Sequence, residues 1–173
     1  MTSPATLRRL IVMRHAKAEP YAADDRSRAL VARGRAAAID AGRHLAAIEA
    51  VPDHAVVSSA ERTSQTWQAL AQACGSTAPA DFDDTVLTAS ATVVLERLRQ
   101  VPAEACTVAF VGHNPVATHL CQLLDDGEGD PDAMRGLLRG FPAAALAVFE
   151  VRRPWRELGA ETGRLVDFYV GGG

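Results

Sequence analysis

The sequence predicts an α/β protein, a three-layer α/β/α sandwich with helices on both faces of a mostly parallel sheet. Two observations support this prediction. Short apolar runs that end abruptly in polar residues, as buried parallel strands do, alternate with longer segments whose apolar residues recur at helical spacing. The 173 residues contain neither an internal repeat nor a linker. We therefore expect one domain over residues 1–170 and a flexible glycine tail over residues 171–173.

The first half of the chain predicts two strand–helix pairs. Residues 10–13 (LIVM) form the first strand, the polar residues 17–28 form a loop, and the alanine-rich residues 31–49 form an amphipathic helix. Residues 55–57 form the second strand, and the next helix covers residues 60–74. Ser58 and Ser59 offer N-cap hydroxyls for that helix, and Gly75 is its stop signal.

In the second half, residues 76–84 are expected to be mostly loop because they contain a proline and three aspartates. A helix begins at Ser90 or Thr92 and ends near Gln100. Residues 107–111 form the third strand, and a helix over residues 115–124 has Pro115 as its first helical residue. Residues 125–132 form an acidic loop, and residues 144–151 and 164–170 are two further strands.

Composition and charge exclude several classes of function. The net charge is −3 and the arginines are scattered, so nucleic acid is not an expected partner. No apolar run approaches the roughly 20 residues of a membrane span, and the N-terminal run is too short for a secretion signal. Three cysteines without a C-x-x-C pair argue against disulfides and structural zinc. We expect a cytoplasmic protein without a metal or cofactor.

Basic side chains follow three of the predicted strands. Arg14 and His15 come directly after the first strand, Arg62 lies in the first turn of the helix after the second strand, and His113 comes directly after the third. Ligands of open α/β sheets bind outside the carboxyl ends of the strands. If the strands are neighbours, two imidazoles and two guanidiniums converge on a site suited to a phosphate dianion. The helix starts near Ser59 and near Asn114 would add backbone N–H groups.

Three sequence blocks resemble the signatures of the histidine phosphatase (phosphoglycerate mutase-like) superfamily. Residues 10–17 read LIVMRHAK, residues 58–66 read SSAERTSQT, and residues 111–115 read VGHNP. The chain is most similar to the short SixA-type phosphohistidine phosphatases. It has Arg-His-Ala-Lys in the first block and D-x-x-R-x-L-x-x-x-G over residues 25–34, and the segment between Asp84 and Thr107 is too short for a cap domain. The resemblance implies a phosphoglycerate mutase-like fold without a cap.

The resemblance also implies a role for each site residue. His15 is the nucleophile that becomes phosphohistidine, and Arg14 and Arg62 hold the phosphoryl oxygens. His113 donates a hydrogen bond to a phosphoryl oxygen, and Arg28 is a further phosphate ligand. Asn114 is the remaining predicted contact to phosphate. Water then releases phosphate from His15, and the arginines supply the positive charge without a metal.

One departure from the superfamily pattern concerns the general acid. Many superfamily members have a glutamate after the second block, where this sequence has Val86 beside Leu87 and Thr88. The nearest carboxylates are Asp83 and Asp84. An alkoxide leaving group needs a proton, whereas the imidazole of phosphohistidine leaves more easily. The missing acid and the missing cap both favour phosphohistidine on a protein as the substrate.

The sequence leaves two other functions open. A broad phosphomonoesterase acting on a small phosphorylated metabolite would need an acid, so replacing Asp83 or Asp84 should then reduce turnover. A non-catalytic phosphate-binding regulatory module would need neither an acid nor a nucleophile. The presence of His15 together with the predicted phosphate ligands argues against the latter.

Overall fold

Six strands form one sheet in the computed structural model, which describes residues 6–172. The strands are β1 (Arg8–Arg14), β2 (His54–Ser58), β3 (Ala80–Asp83), β4 (Thr107–Gly112), β5 (Ala145–Val151) and β6 (Gly163–Val170). The helices are α1 (Ala32–Ala47), α2 (Glu61–Cys74), α3 (Ala91–Leu98), α4 (Val116–Leu124) and α5 (Pro131–Leu138). Short 3₁₀ turns lie at Asp25–Ser27, Asp84–Val86 and Trp155–Glu157.

The sheet has the order β3-β2-β4-β1-β5-β6 and is mostly parallel, as predicted. Strands β3, β2, β4 and β1 run parallel to one another, and β5 and β6 add two antiparallel pairings. The central pair is β1 and β4, in which Arg14 lies opposite Gly112. This pairing brings the residues after both strands to one edge of the sheet.

Alternate side chains along the strands pack into two separate hydrophobic cores, one on each face of the sheet. Ile11 and Met13 pack with buried residues of α1 and α2, whereas Leu10 and Val12 pack with α3, α4 and α5 on the opposite face. Such alternation is a direct consequence of the two-residue period of a strand. The three-layer sandwich predicted from the sequence is confirmed, and residues 6–172 form no separate cap domain.

Two elements were missed by the sequence patterns. Strand β3 lies inside the segment predicted as loop, and it is an edge strand whose Asp81 and Asp83 bind Arg97 instead of entering the core. Helix α5 begins within the predicted acidic loop. The Asp130 side chain caps it by accepting from the N–H groups of Asp132 and Ala133, and Pro131 occupies the first turn. Both segments have the polar composition that is typical of loops. Strand β3 forms because its backbone pairs with β2, and helix α5 begins because Asp130 caps it.

The predicted N-cap of α2 was also wrong. Ala60 occupies that position and makes no side-chain cap. Ser58 and Ser59 use their hydroxyls elsewhere, on His113 and Asp84 respectively. The sequence pattern thus identified polar side chains near the helix start but gave them the wrong partners.

The predicted glycine tail is described only in part. The Gly171 N–H donates to the Ala144 carbonyl at 3.1 Å, and the Gly172 N–H donates to the Asp40 carboxylate at 2.9 Å. Gly173 lies outside the described residues. Among the helices of residues 6–172, none has both the length and the apolar character needed to cross a membrane.

Candidate active site

The two histidines predicted from the sequence meet at the carboxyl ends of β1 and β4. Their ring centroids are 5.4 Å apart and the ring planes are inclined by 60°. The backbone holds His15 from both sides, because its N–H donates to the Gly112 carbonyl at 2.9 Å and its carbonyl accepts from the Ala144 N–H at 3.2 Å. The position of His15 is therefore determined by the central strands of the sheet.

A hydrogen bond to the backbone selects the proton arrangement of the His15 ring. The Nδ1 atom lies 2.8 Å from the carbonyl oxygen of Ala16, which can only accept. Nδ1 therefore carries the ring proton in the neutral form, and Nε2 keeps its lone pair. The Ala16 N–H is in turn held by the Thr66 hydroxyl of α2 at 3.0 Å. This arrangement leaves Nε2 as a nucleophile.

Burial also keeps His15 neutral. Desolvation lowers the pKa of His15 from its usual 6.5 to about 4, and the positive charges of Arg62 and Arg14 act in the same direction. The hydrogen bond to Ala16 opposes this shift but does not cancel it. An unprotonated imidazole at neutral pH is the form that can attack phosphorus.

Arg62 projects from the first turn of α2 and is buried, with 6% of its surface exposed. One terminal nitrogen donates to the Asp25 carbonyl at 2.7 Å. The other donates to the Asp25 carboxylate at 3.0 Å and lies 3.3 Å from Nδ1 of His113. Arg62 thus connects the 3₁₀ turn at Asp25–Ser27 to the histidine pair.

Arg14 and Asn114 share one backbone acceptor. The Phe141 carbonyl accepts from the Arg14 guanidinium at 3.1 Å and from the Asn114 amide at 2.9 Å. The amide oxygen of Asn114 accepts from the backbone and the hydroxyl of Thr118. Both the nitrogen and the oxygen of the Asn114 amide therefore have protein partners. The role of Asn114 as a phosphate ligand stays a prediction.

Two of the predicted phosphate-binding arginines have a buried N–H group without an acceptor among the described residues. These groups are Nε of Arg14 and Nε of Arg62. A third such group, Nε of Arg8, lies at the opposite end of β1 and is unrelated to this site. Buried N–H groups normally have a partner, and phosphoryl oxygens are suitable acceptors for guanidinium donors.

Arg28 reaches the same region through Asp25. Its Nε donates to the Asp25 carboxylate at 3.0 Å, and a terminal nitrogen donates to the Glu19 carbonyl at 3.1 Å. The Asp25 carboxylate therefore joins Arg28 to Arg62, and its hydrogen bond from Arg62 holds the pKa of Asp25 below its usual value. One intervening side chain, Asp25, thus separates the Arg28 guanidinium from the Arg62 guanidinium.

Two residues outside the predicted site, Asp25 and Ser58, lie against this cluster. Asp25 belongs to the D-x-x-R pattern and Ser58 begins the second of the three sequence blocks, but neither is predicted from the sequence to contact the site. The Ser58 hydroxyl lies 2.8 Å from Nε2 of His113, and Ser58 is fully buried. A polar residue at the end of a buried strand was the available signal for Ser58.

A cleft of about 250 Å³ adjoins His113. It is lined by Leu87, Thr88, Ala89, Ser90, Ala91, His113, Asn114, Pro115, Val116 and His119. Asp and Glu are absent from this set. Val86, which aligns with the expected acid, is fully buried in the core with α3 and α4.

Both carboxylates considered as general acids are held in ion pairs. Asp83 accepts from Nε of Arg97 at 2.8 Å and caps the N–H of Thr85. Asp84 accepts from Arg26 at 2.6 Å and from the Ser59 hydroxyl. Hydrogen bonds from Thr85 and from Ser59 are the main causes that lower the pKa of Asp83 and of Asp84 respectively. Both groups are therefore ionised at neutral pH, which is the wrong form for an acid.

Comparisons with known proteins point to one family. An uncharacterized protein of Mycobacterium tuberculosis is 32% identical over 160 residues, which cover 91% of this chain and 99% of the relative. A structure assigned as the phosphohistidine phosphatase SixA from Nakamurella multipartitia superposes with a TM-score of 0.85 at 32% identity, covering 98% of this chain and 99% of that one. The corresponding SixA structure from Agrobacterium tumefaciens gives 0.77 at 28% identity, with 94% and 97% coverage. No family model matches the sequence.

Proposed function

Because the chain belongs to the SixA-type branch of the histidine phosphatase superfamily, we propose that it is a hydrolase that removes phosphate from phosphohistidine on a protein, through a phosphohistidine intermediate on its own His15. The observation that carries the choice of substrate is the absence of carboxylates from the residues lining the cleft beside His113. We also propose a cytoplasmic location, which agrees with three cysteines that form no disulfide.

The first half of the reaction transfers the phosphoryl group to His15. The Nε2 lone pair attacks phosphorus, a new P–N bond forms, and the P–N bond of the substrate breaks. Buried Nε–H groups of Arg14 and Arg62 are available to the phosphoryl oxygens. They stabilise the charge that spreads over these oxygens in the transition state.

The leaving group explains why no carboxylic acid is required. When the second ring nitrogen of phosphohistidine carries a proton, the imidazole leaves as a neutral molecule. A phosphate monoester would instead leave as an alkoxide, which is a strong base and needs a proton donor. The ion pairs of Asp83 with Arg97 and of Asp84 with Arg26 make both carboxylates unsuitable donors.

The second half of the reaction regenerates the enzyme. Water attacks the phosphorus of phospho-His15, the P–N bond breaks, and its electron pair returns to Nε2. One water is consumed, and one phosphate and one histidine are released in total. The hydrogen bond from Nδ1 to the Ala16 carbonyl holds the ring in one orientation through both halves.

One observation favours a second candidate, a phosphomonoesterase for small metabolites. His119 lines the same cleft as His113. An imidazole at this position is the only titratable side chain besides His113 among the residues that line the cleft, and it could replace the missing carboxylic acid. This function makes His119 essential, whereas hydrolysis of phosphohistidine does not.

The test is phosphate release from two substrates measured side by side. One is a carrier protein phosphorylated on histidine, and the other is an aryl phosphate with a panel of sugar phosphates. Fast release from the protein, loss of that release in His15→Ala, and unchanged rates in Asp83→Asn, Asp84→Asn and His119→Asn support the proposal. Faster release from the esters, with strong dependence on His119 or an aspartate, would favour the phosphomonoesterase.

A phosphate-binding regulatory module is distinguished by the covalent intermediate. A short incubation with labelled substrate followed by denaturation should leave an acid-labile, alkali-stable label on the wild-type chain and none on His15→Ala. A wild-type chain that binds phosphate but never acquires this label would be a binding module.

A further inference from the structure

Ser58 ends strand β2 with its hydroxyl against His113. The distance from the Ser58 oxygen to Nε2 of His113 is 2.8 Å, and both residues are buried. This is the only hydrogen bond that the Ser58 hydroxyl makes within residues 6–172. Its neighbour Ser59 turns to the other side and binds Asp84 and Arg26 instead.

The hydrogen bonds define the proton arrangement of His113. Nδ1 lies 3.3 Å from a terminal nitrogen of Arg62, which can only donate. Nδ1 is therefore an acceptor, and the single proton of the neutral ring is on Nε2, donated to the Ser58 hydroxyl. In this arrangement His113 has no ring N–H directed at the position of a phosphoryl group.

His113 could direct an N–H at a phosphoryl group if both ring nitrogens were protonated, but this form is unfavourable. Desolvation, together with the nearby Arg62 and His15, lowers the pKa of His113 from its usual 6.5 to about 4, although Asp25 opposes the shift. A bound phosphate dianion would raise this pKa. The alternative that keeps the ring neutral is a change of tautomer.

We propose that Ser58 is a positioning residue that reverses its hydrogen bond when a phosphoryl group binds. The hydroxyl then donates to Nε2, which loses its proton, and the ring proton sits on Nδ1, from which it is donated to a phosphoryl oxygen. The nitrogen of Arg62 that faced Nδ1 also turns to the phosphoryl group. The exchange conserves protons, because one ring position gains the proton that the other loses.

Only a hydroxyl can support both states at this position. It donates or accepts through rotation about one bond, whereas a carbonyl only accepts and an ammonium only donates. The inference rests on the proposed function, because it assumes that His113 contacts a phosphoryl oxygen. It adds how a buried, neutral histidine supplies that contact.

The decisive measurement is the ¹⁵N NMR spectrum of the His113 ring in the wild-type chain, with and without inorganic phosphate. Signals are assigned by comparison with His113→Gln. Without phosphate we expect the proton on Nε2, and with saturating phosphate on Nδ1. A ring protonated at both nitrogens in the complex, or a proton that stays on Nε2, would overturn the proposal.

Kinetics give a second readout. Ser58→Ala should lower kcat at least tenfold with a smaller change in KM, because the contact matters most in the transition state. The matched control Ser59→Ala should retain the wild-type kcat. Wild-type kcat in a folded Ser58→Ala chain would overturn the proposal. If the wild-type chain hydrolyses neither substrate class, the proposed function fails, and the NMR measurement still decides whether phosphate moves the His113 ring proton from Nε2 to Nδ1.

Discussion

His15 and His113 lie side by side, but their neighbours give the two rings opposite proton arrangements. The Ala16 carbonyl holds the proton of His15 on Nδ1, while Arg62 and Ser58 hold the proton of His113 on Nε2. At the residue scale, each role follows from what the partner atom can donate or accept. The proposed function uses this difference, because it gives the two identical side chains separate roles, His15 as the nucleophile and His113 as a partner of the phosphoryl group.

Asp25 is the residue that orients the guanidiniums of Arg62 and Arg28. Its carboxylate binds Arg62 and Arg28, and its backbone carbonyl also binds Arg62. We expect Asp25→Asn to lower kcat/KM for the phosphorylated protein about tenfold, because the change loosens the orientation of both guanidiniums. Steady-state kinetics check this expectation, and Asp25→Glu should recover part of the loss.

The control for this prediction is Asp132→Asn, an exposed aspartate in the first turn of α5. It should leave kcat/KM unchanged. A lower KM in Asp25→Asn, with kcat retained, would contradict the prediction and would mean that Asp25 competes with phosphate for Arg62.

At the scale of elements, a close backbone contact brings α1 against the segment after β1. A Cβ added to Gly34 would lie 2.0 Å from the Lys17 carbonyl oxygen, and that same carbonyl accepts from the Val31 N–H at 3.0 Å. Packing therefore explains the glycine at the end of the D-x-x-R-x-L-x-x-x-G pattern, because any larger side chain would clash with the Lys17 backbone. This glycine allows the start of α1 to touch the chain that carries His15.

Gly34→Ala should therefore destabilise the fold. We expect a loss of about 2 kcal/mol or more in the free energy of unfolding, because the clash is with backbone that cannot rotate away. Urea unfolding measures the loss. Gly159→Ala is the matched control, since its nearest non-neighbouring atom would be 3.6 Å away, at the flexible end of Arg99. Equal stability of the two variants would refute this explanation of Gly34.

At the scale of the whole molecule, the site makes stability depend on pH. The pKa values of His15 and His113 are lowered to about 4 in the folded chain, against about 6.5 in an unfolded chain. Between these values the unfolded chain binds more protons than the folded chain. The stability from these two groups is therefore complete above pH 6.5 and is lost as the pH falls towards 4.

We expect the free energy of unfolding to fall by roughly 2 kcal/mol between pH 7 and pH 5, after allowance for solvent screening. Urea midpoints at both pH values measure this change. The double variant His15→Gln, His113→Gln should lose less stability over the same interval. An identical pH dependence in the double variant would show that other groups are responsible.

The sequence by itself determined the features that local pattern can encode. Apolar runs predicted five of the six strands, and helical spacing and stop signals predicted four of the five helices. The residues after three strands predicted a site made of His15, Arg14, Arg62 and His113. The missed elements, β3 and α5, have polar sequences. Strand β3 depends on hydrogen bonds to β2. Helix α5 begins at its cap Asp130, which lies in an acidic run that is typical of a loop.

Only the tertiary structure decided which atoms meet. The pairing of β1 with β4 brought the two histidines to a ring separation of 5.4 Å, and the packing of β2 turned Ser58 towards His113 and not towards the start of α2. The same packing joined Asp25 to Arg62, 37 residues further along the chain. Residue spacing cannot encode such contacts, because they depend on sheet order and on the direction of each side chain, which long-range packing decides.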